Sequence, residues 1–207
     1  MENCRVKGYD IFMETFWSGF SGFVIGIGLA AACGFRIIIP FLGLSVAAAN
    51  GWIDLVPQFQ WIGTDAAFWA FATAAVLEIG AYYVPWMDNL LDAAATPLAV
   101  AAGVILTASV MTGISPFMKW TIALIAGGSI AGAIQTGTAL LRGASTVSTG
   151  GTANFFIATA ELFGSVITTI LALVIPIIAF IVALIIAAVI LIKIMRKRKT
   201  ANNQNET

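Results

Sequence analysis

Two long apolar runs, Phe16 to Ala49 and Phe155 to Met195, constrain this chain more than anything else in it. A bilayer core about 30 Å thick is crossed by about 20 apolar residues in a helix. One helix of about 40 residues would be about 60 Å long, twice that thickness. Each run must therefore be divided, and the sequence supplies the divisions. Arg36 and Pro40 interrupt the first run, and Pro176 interrupts the second.

The rest of the chain offers no water-facing surface to offset these runs. Only 10% of its 207 residues are charged and 60% are hydrophobic, where a soluble domain has about 25% charged. The expected fold class is an all-α membrane protein of about six transmembrane helices, multi-pass in the cell membrane with the lipid bilayer as its main partner. Residues 1–15 read as an amphipathic lead-in at the membrane surface, 16–195 as one helical bundle, and 196–207 as a polar basic tail.

In detail, a spanning helix is expected over 16–34, then a break at Gly34-Phe35-Arg36 and a shorter helical piece to about 48. Residues 50–65 form a loop with Trp52 and Trp61 suited to a headgroup interface. A second helix covers 66–84 and stops at Pro85, and WMDNLLD makes a turn. A third covers 94–112 and a fourth 117–141. GASTVSTGGTA is then a polar loop, and Asn154 caps the last run, which Pro176 splits into two helices.

The basic residues orient the bundle. Five of the ten lie in Lys193, Arg196, Lys197, Arg198 and Lys199. A basic flank of an apolar run belongs on the cytoplasmic side, and this reading replaces nucleic-acid binding for the cluster. With six spans the N-terminus, carrying Arg5 and Lys7, is cytoplasmic too. The 50–65 loop then lies outside, with Lys119 the one basic residue there.

Several kinds of chemistry are excluded. The chain has no histidine, and Cys4 and Cys33 make neither a disulfide framework nor a metal set. No nucleophile–base pair is apparent, so an enzyme is not expected, and neither a cofactor nor a metal.

What remains is charge inside apolar sequence. An ionised side chain at the bilayer centre costs about 2.5–3.5 kcal/mol on insertion scales, so each needs a partner or a task. Arg36, Glu78, Arg142 and Glu161 are the four candidates. In one reading they line a polar pathway for a small solute or ion. In the other they form static ion pairs that fix helix packing. Tyr82, one turn after Glu78, is expected either in the aromatic belt at the interface or as a hydrogen-bond donor to the Glu78 carboxylate. Asp88 and Asp92 flank the WMDNLLD turn, with Asp92 expected to cap the following helix. Gln135 and Asn154 are further polar candidates.

Gly22/Gly26 and Gly128/Gly132 make two GxxxG faces, which allow close helix packing and permit a homo-oligomer. The order of features in 16–113 is echoed in 116–195, which suggests an inverted 3+3 repeat with broken helices.

The stretches CGFRIIIPFLGL, LEIGAYYVPWMDNLLDAAATPLAVAAG and IAGAIQTGTALLRGAS, followed by Asn154, Glu161 and a late proline, resemble the DUF4126 family of small integral membrane proteins. The resemblance covers roughly residues 25 to 180, and the Glu78 to Asp92 string is its most specific part. The family often has Asp-Lys where this chain has Tyr82-Tyr83, which removes an acid–base pair beside Glu78. The resemblance implies a helical membrane bundle and this residue set, and it implies no activity.

Overall fold

The computed structural model describes residues 2–81 and 85–175, with side chains from Trp17 to Ala81 and from Ala94 to Ile175. Residues 1–173 form one compact unit and 174–207 a second, and the architecture below is that of the first. Pro176 and the basic tail lie outside the described residues.

The described residues are all helical, with no strand. The elements are α1 (Glu2–Cys33), α2 (Ile38–Ala49), a 3-10 segment (Pro57–Gly63), α3 (Asp65–Ala81), α4 (Pro85–Val110), α5 (Pro116–Ile122), a π-helical segment (Ala123–Gly128), α6 (Ser129–Thr149) and α7 (Asn154–Ile175). Among the described residues two helices, or three with a bent pair, have the length and apolar composition of a span, and the last of the six expected spans lies outside them. Pro116–Thr149, running through the π segment, and Asn154–Ile175 are each long and apolar enough to cross a membrane. A third candidate is the 3-10 segment with α3, bent by 65°.

Boundaries moved for identifiable reasons. Residues 2–15 are helical and continuous with the first apolar run in α1. Pro85 opens α4. A proline in the first helical turn forfeits no intrahelical bond, so WMDNLLD is helical rather than a turn. Asp92 therefore lies inside α4 and not at its cap. The side chains of Tyr82, Asp88 and Asp92 lie outside the described residues.

Most of the polar stretch after Arg142 is also helix. Hydroxyls there bond back one turn, Thr146 to the Arg142 carbonyl at 2.9 Å, Ser148 to Ala144 at 2.8 Å and Thr149 to Ser145 at 2.7 Å. A Ser or Thr satisfied in this way continues a helix where water is scarce. The true turn is short and uses Gly150 and Gly151, with φ of 65° and 85°. α7 begins at Asn154, whose side-chain amide donates to Thr146 Oγ1 at 3.1 Å instead of capping the helix.

The first apolar run holds the largest difference. Along α7, Ala158 accepts from Arg36, Ser165 donates to the Ala32 carbonyl, and Ala172 lies against Gly28. α1 is therefore antiparallel to α7. Gly43 of α2 meets Thr169 and Leu173, so α2 is parallel to α7. α1 and α2 thus form a hairpin that reverses at Gly34–Ile37, not one span with a kink. At its other end, Gly22 packs on Val110 and Met111 while the Val56 N–H donates to the Ser109 carbonyl at 2.9 Å. The 50–65 segment and this part of α1 share one end of the bundle. They do not lie on opposite faces, as the charge rule has them.

The core between α1, α2 and α4 holds Leu29, Leu44 and Leu106, whereas α6 and α7 are small and polar on their buried faces and large and apolar on their exposed ones. α6 buries Ala131, Gln135, Thr138, Arg142 and Ser145. α7 buries Ala158, Glu161, Ser165, Thr169 and Ala172, while Phe155, Phe156, Phe163, Ile167 and Ile170 stand exposed. A soluble protein does the reverse. Where lipid is the solvent, apolar burial gains nothing, and small residues that let backbones approach take the interior.

Candidate functional site

α4 is the axis on which the site is hung, because both GxxxG faces close on it. A Cβ at Gly22 would fall 2.3 Å from the Val110 carbonyl oxygen, and one at Gly26 would fall 2.9 Å from the Thr107 Cα. Gly128 and Gly132 meet Val104 and Val100 of the same helix. The Thr107 hydroxyl donates to the Gly26 carbonyl at 3.1 Å and fixes the α1 contact. The glycine faces expected to permit a homo-oligomer are filled within the chain.

α1 and α6 pass α4 in the same direction, both antiparallel to it. Gly22, Gly26 and Arg36 have the same spacing as Gly128, Gly132 and Arg142. Their shared direction does not match the inverted relation expected from the order of features. It carries both arginines toward the same end of the bundle, here called the arginine end.

There the structure brings three of the four predicted charges together. Arg142 grips Glu161 with two donors, Nε to Oε1 at 2.9 Å and Nη2 to Oε2. Arg36 Nη2 lies 3.9 Å from Glu161 Oε2 and donates to the Ala158 carbonyl at 2.9 Å. The side chains of Arg36, Arg142 and Glu161 are 1%, 3% and 5% exposed. Two fork-shaped guanidiniums on one carboxylate is a geometry that lysine cannot reproduce.

The fourth charge does something else. Glu78, half-buried near the end of α3, accepts from the Ile37 N–H at 2.9 Å and the Ile38 N–H at 3.1 Å. α2 has no side-chain cap of its own. Its first N–H groups would otherwise be orphaned, and a carboxylate also suits the positive end of the helix dipole. The α1–α2 reversal is thus held from two sides, by Arg36 reaching α7 and by Glu78 reaching back from α3.

Ser165 and Thr169 extend the site and were not among the sequence candidates. Ser165 Oγ donates to the Ala32 carbonyl at 3.1 Å, and the buried Thr169 Oγ1 has no hydrogen-bond partner. With Glu161 they occupy successive turns of the inner face of α7. The face they lie on packs against the α1–α2 hairpin, Ser165 on Ala32 and Thr169 on Gly43. Asn154, Ser145 and Thr149 continue the polar line to the α6–α7 turn. From Asn154 to Thr169 this seam is ~22 Å long at helical rise. Its spacing of three and four residues was the signal available in the sequence.

A family model described as "Domain of unknown function (DUF4126)" matches residues 23–196, which contain all four charges. The chain belongs to this family. In this DUF4126 chain the Glu78 carboxylate is occupied by backbone N–H groups of α2. The match says nothing of activity. No curated protein and no solved structure is significantly similar to the chain. Among the described residues no group of His, Cys, Asp and Glu could hold a metal ion.

Proposed function

We propose that this DUF4126 protein is a multi-pass membrane protein that passes a small solute or ion along the inner face of α7, where α7 packs on the α1–α2 hairpin. The observation that carries this reading is the inner face of α7. Glu161, Ser165 and Thr169 line it over successive turns; Ser and Thr also serve close packing, and it is the ionisable Glu161 among them that packing alone does not call for. Intramembrane ionisable residues facing a bundle interior mark solute and ion pathways. The Arg142–Glu161 pair would be the closed state of the mouth at the arginine end, and the α1–α2 hairpin the element that moves against it. The residues support positioning and passage rather than bond chemistry, so no enzyme activity is proposed.

A second reading has its own observation. The bidentate pair is fully buried and Glu78 is committed to α2, which fits a protein whose charges only fix its packing. Flux in vesicles reconstituted with Glu161→Gln and Thr169→Val separates the two. Transport predicts that both variants fold and change the flux of a panel of small ions and solutes. Packing predicts that Glu161→Gln misfolds and that Thr169→Val is indistinguishable from the parent.

A further inference from the structure

The end of the bundle opposite the arginine cluster carries an unusual set of side chains. Trp17, Trp52, Trp61, Trp69 and Trp120 are each between 46% and 68% exposed. They come from five separate segments: α1, the loop after α2, the 3-10 segment, α3 and α5. Contacts already described place most of these segments at one end. Gly19 lies against Thr112 and Ile114, just beyond the Gly22 contact with Val110, and Val56 bonds Ser109. Phe59 of the 3-10 segment packs on Trp120 of α5 with ring centroids 6.3 Å apart, and Trp61 packs on Phe71 of α3 at 5.9 Å.

An exposed indole has an apolar body and one N–H donor. It is best placed where hydrocarbon meets water, and membrane proteins gather it there. Continuity with the exposed apolar side chains of the bundle argues for lipid as the occupant. Leu124 and Ile125 follow directly from Trp120 along the same long helix, and both are exposed.

The distance to the arginines gives this end a counterpart. From Trp17 to the end of α1 at Cys33, just before Arg36, the helix rises ~24 Å, and from Trp120 to Arg142 the chain rises ~33 Å. The two values bracket a hydrocarbon core of about 30 Å.

We infer that the tryptophan end is seated among lipid headgroups at one bilayer interface, and that the Arg36–Arg142–Glu161 cluster lies at the opposite boundary of the hydrocarbon core. This rests on membrane residence alone and not on transport. The arginines are then held at the edge of the bilayer, where a mouth would be, and Thr169 lies further toward its middle.

The test is depth-resolved fluorescence quenching of the full chain carrying Trp86→Phe, reconstituted in phosphatidylcholine brominated at defined acyl positions. The expected result is strongest quenching by bromines nearest the headgroup, falling several-fold toward the chain ends. A spin label at Gly143→Cys, one residue past Arg142 on the exposed side of α6, should be reached by a water-soluble relaxant more than by oxygen. Strongest tryptophan quenching by the deepest bromines, or a Gly143 label at mid-bilayer depth, would overturn the inference. Tryptophans unquenched at every depth in a chain that self-associates would also overturn it, by assigning this end to a second copy.

Discussion

Arg142 and Glu161 are nineteen residues apart in sequence and meet as a two-bond pair across the α6–α7 hairpin, with Arg36 against the same carboxylate. The pair joins two helices that, among the described residues, are each long and apolar enough to cross a membrane. It lies seven residues from each helix's end at the turn, so it locks the hairpin where the hairpin could otherwise splay.

Removing one partner should therefore be far worse than removing both. Glu161→Leu leaves two guanidiniums buried around a missing charge, and a cost of about 3–5 kcal/mol is expected. Arg142→Met combined with Glu161→Leu should recover much of that loss. Unfolding in mixed detergent with increasing sodium dodecyl sulfate reads the difference. Equal loss in the single and double variants would show that the pair does not act as a unit.

Glu78 makes a sharper, local prediction. Glu78→Gln keeps one strong acceptor for two N–H groups, and Glu78→Ala keeps none. A buried donor left unsatisfied costs about 1–3 kcal/mol. Amide exchange at Ile37 and Ile38 should quicken in Gln and quicken further in Ala, with α6 and α7 unchanged. Uniform exchange in all three proteins would remove Glu78 from this role.

The set of charges was legible in the sequence, because ionised side chains in apolar runs stand out against their cost. Their division of labour was not. Glu78 reads as one more buried carboxylate until the start of α2 is seen beneath it. The α1–α2 reversal was hidden for a related reason. Gly34-Phe35-Arg36 marks a break, but a kink and a hairpin share the same local pattern, and only contacts with α7 and α4 separate them. Ser165 and Thr169 were missed because a hydroxyl in an apolar run is a weak signal unless its helical spacing is counted. The helix after Arg142 was missed because Ser and Thr favour loops in water and bond back to their own helix elsewhere.

Glycine contacts give a paired test of packing. At Gly22 any Cβ meets the Val110 carbonyl, whereas nothing lies within 4 Å of a Cβ at Gly137. Gly22→Ala should force α1 from α4 and destabilise the bundle. Gly137→Ala should be neutral or stabilising by up to about 1 kcal/mol, the difference in helix propensity. Thermal unfolding in detergent distinguishes them, and similar effects at both sites would contradict the α1–α4 contact.

The hairpin predicts sidedness. With Cys4→Ser and Cys33→Ala as background, thiols placed by Ser18→Cys and Gln58→Cys should react with an impermeant reagent from the same side of sealed vesicles. Ser148→Cys should react from the other. Labelling of residues 18 and 58 from opposite sides would restore a single span across residues 16–49.

The seam itself is tested most directly by cysteine accessibility along α7. If solute passes along the inner face of α7, Ser165→Cys and Thr169→Cys react with a small charged methanethiosulfonate, although both native side chains are buried. Phe163→Cys and Ile167→Cys, on the exposed apolar face, stay unreactive in the bilayer. Reaction at residues 165 and 169 alone is the predicted result. No reaction at either inner position would contradict a pathway and leave a bundle whose polar seam serves packing.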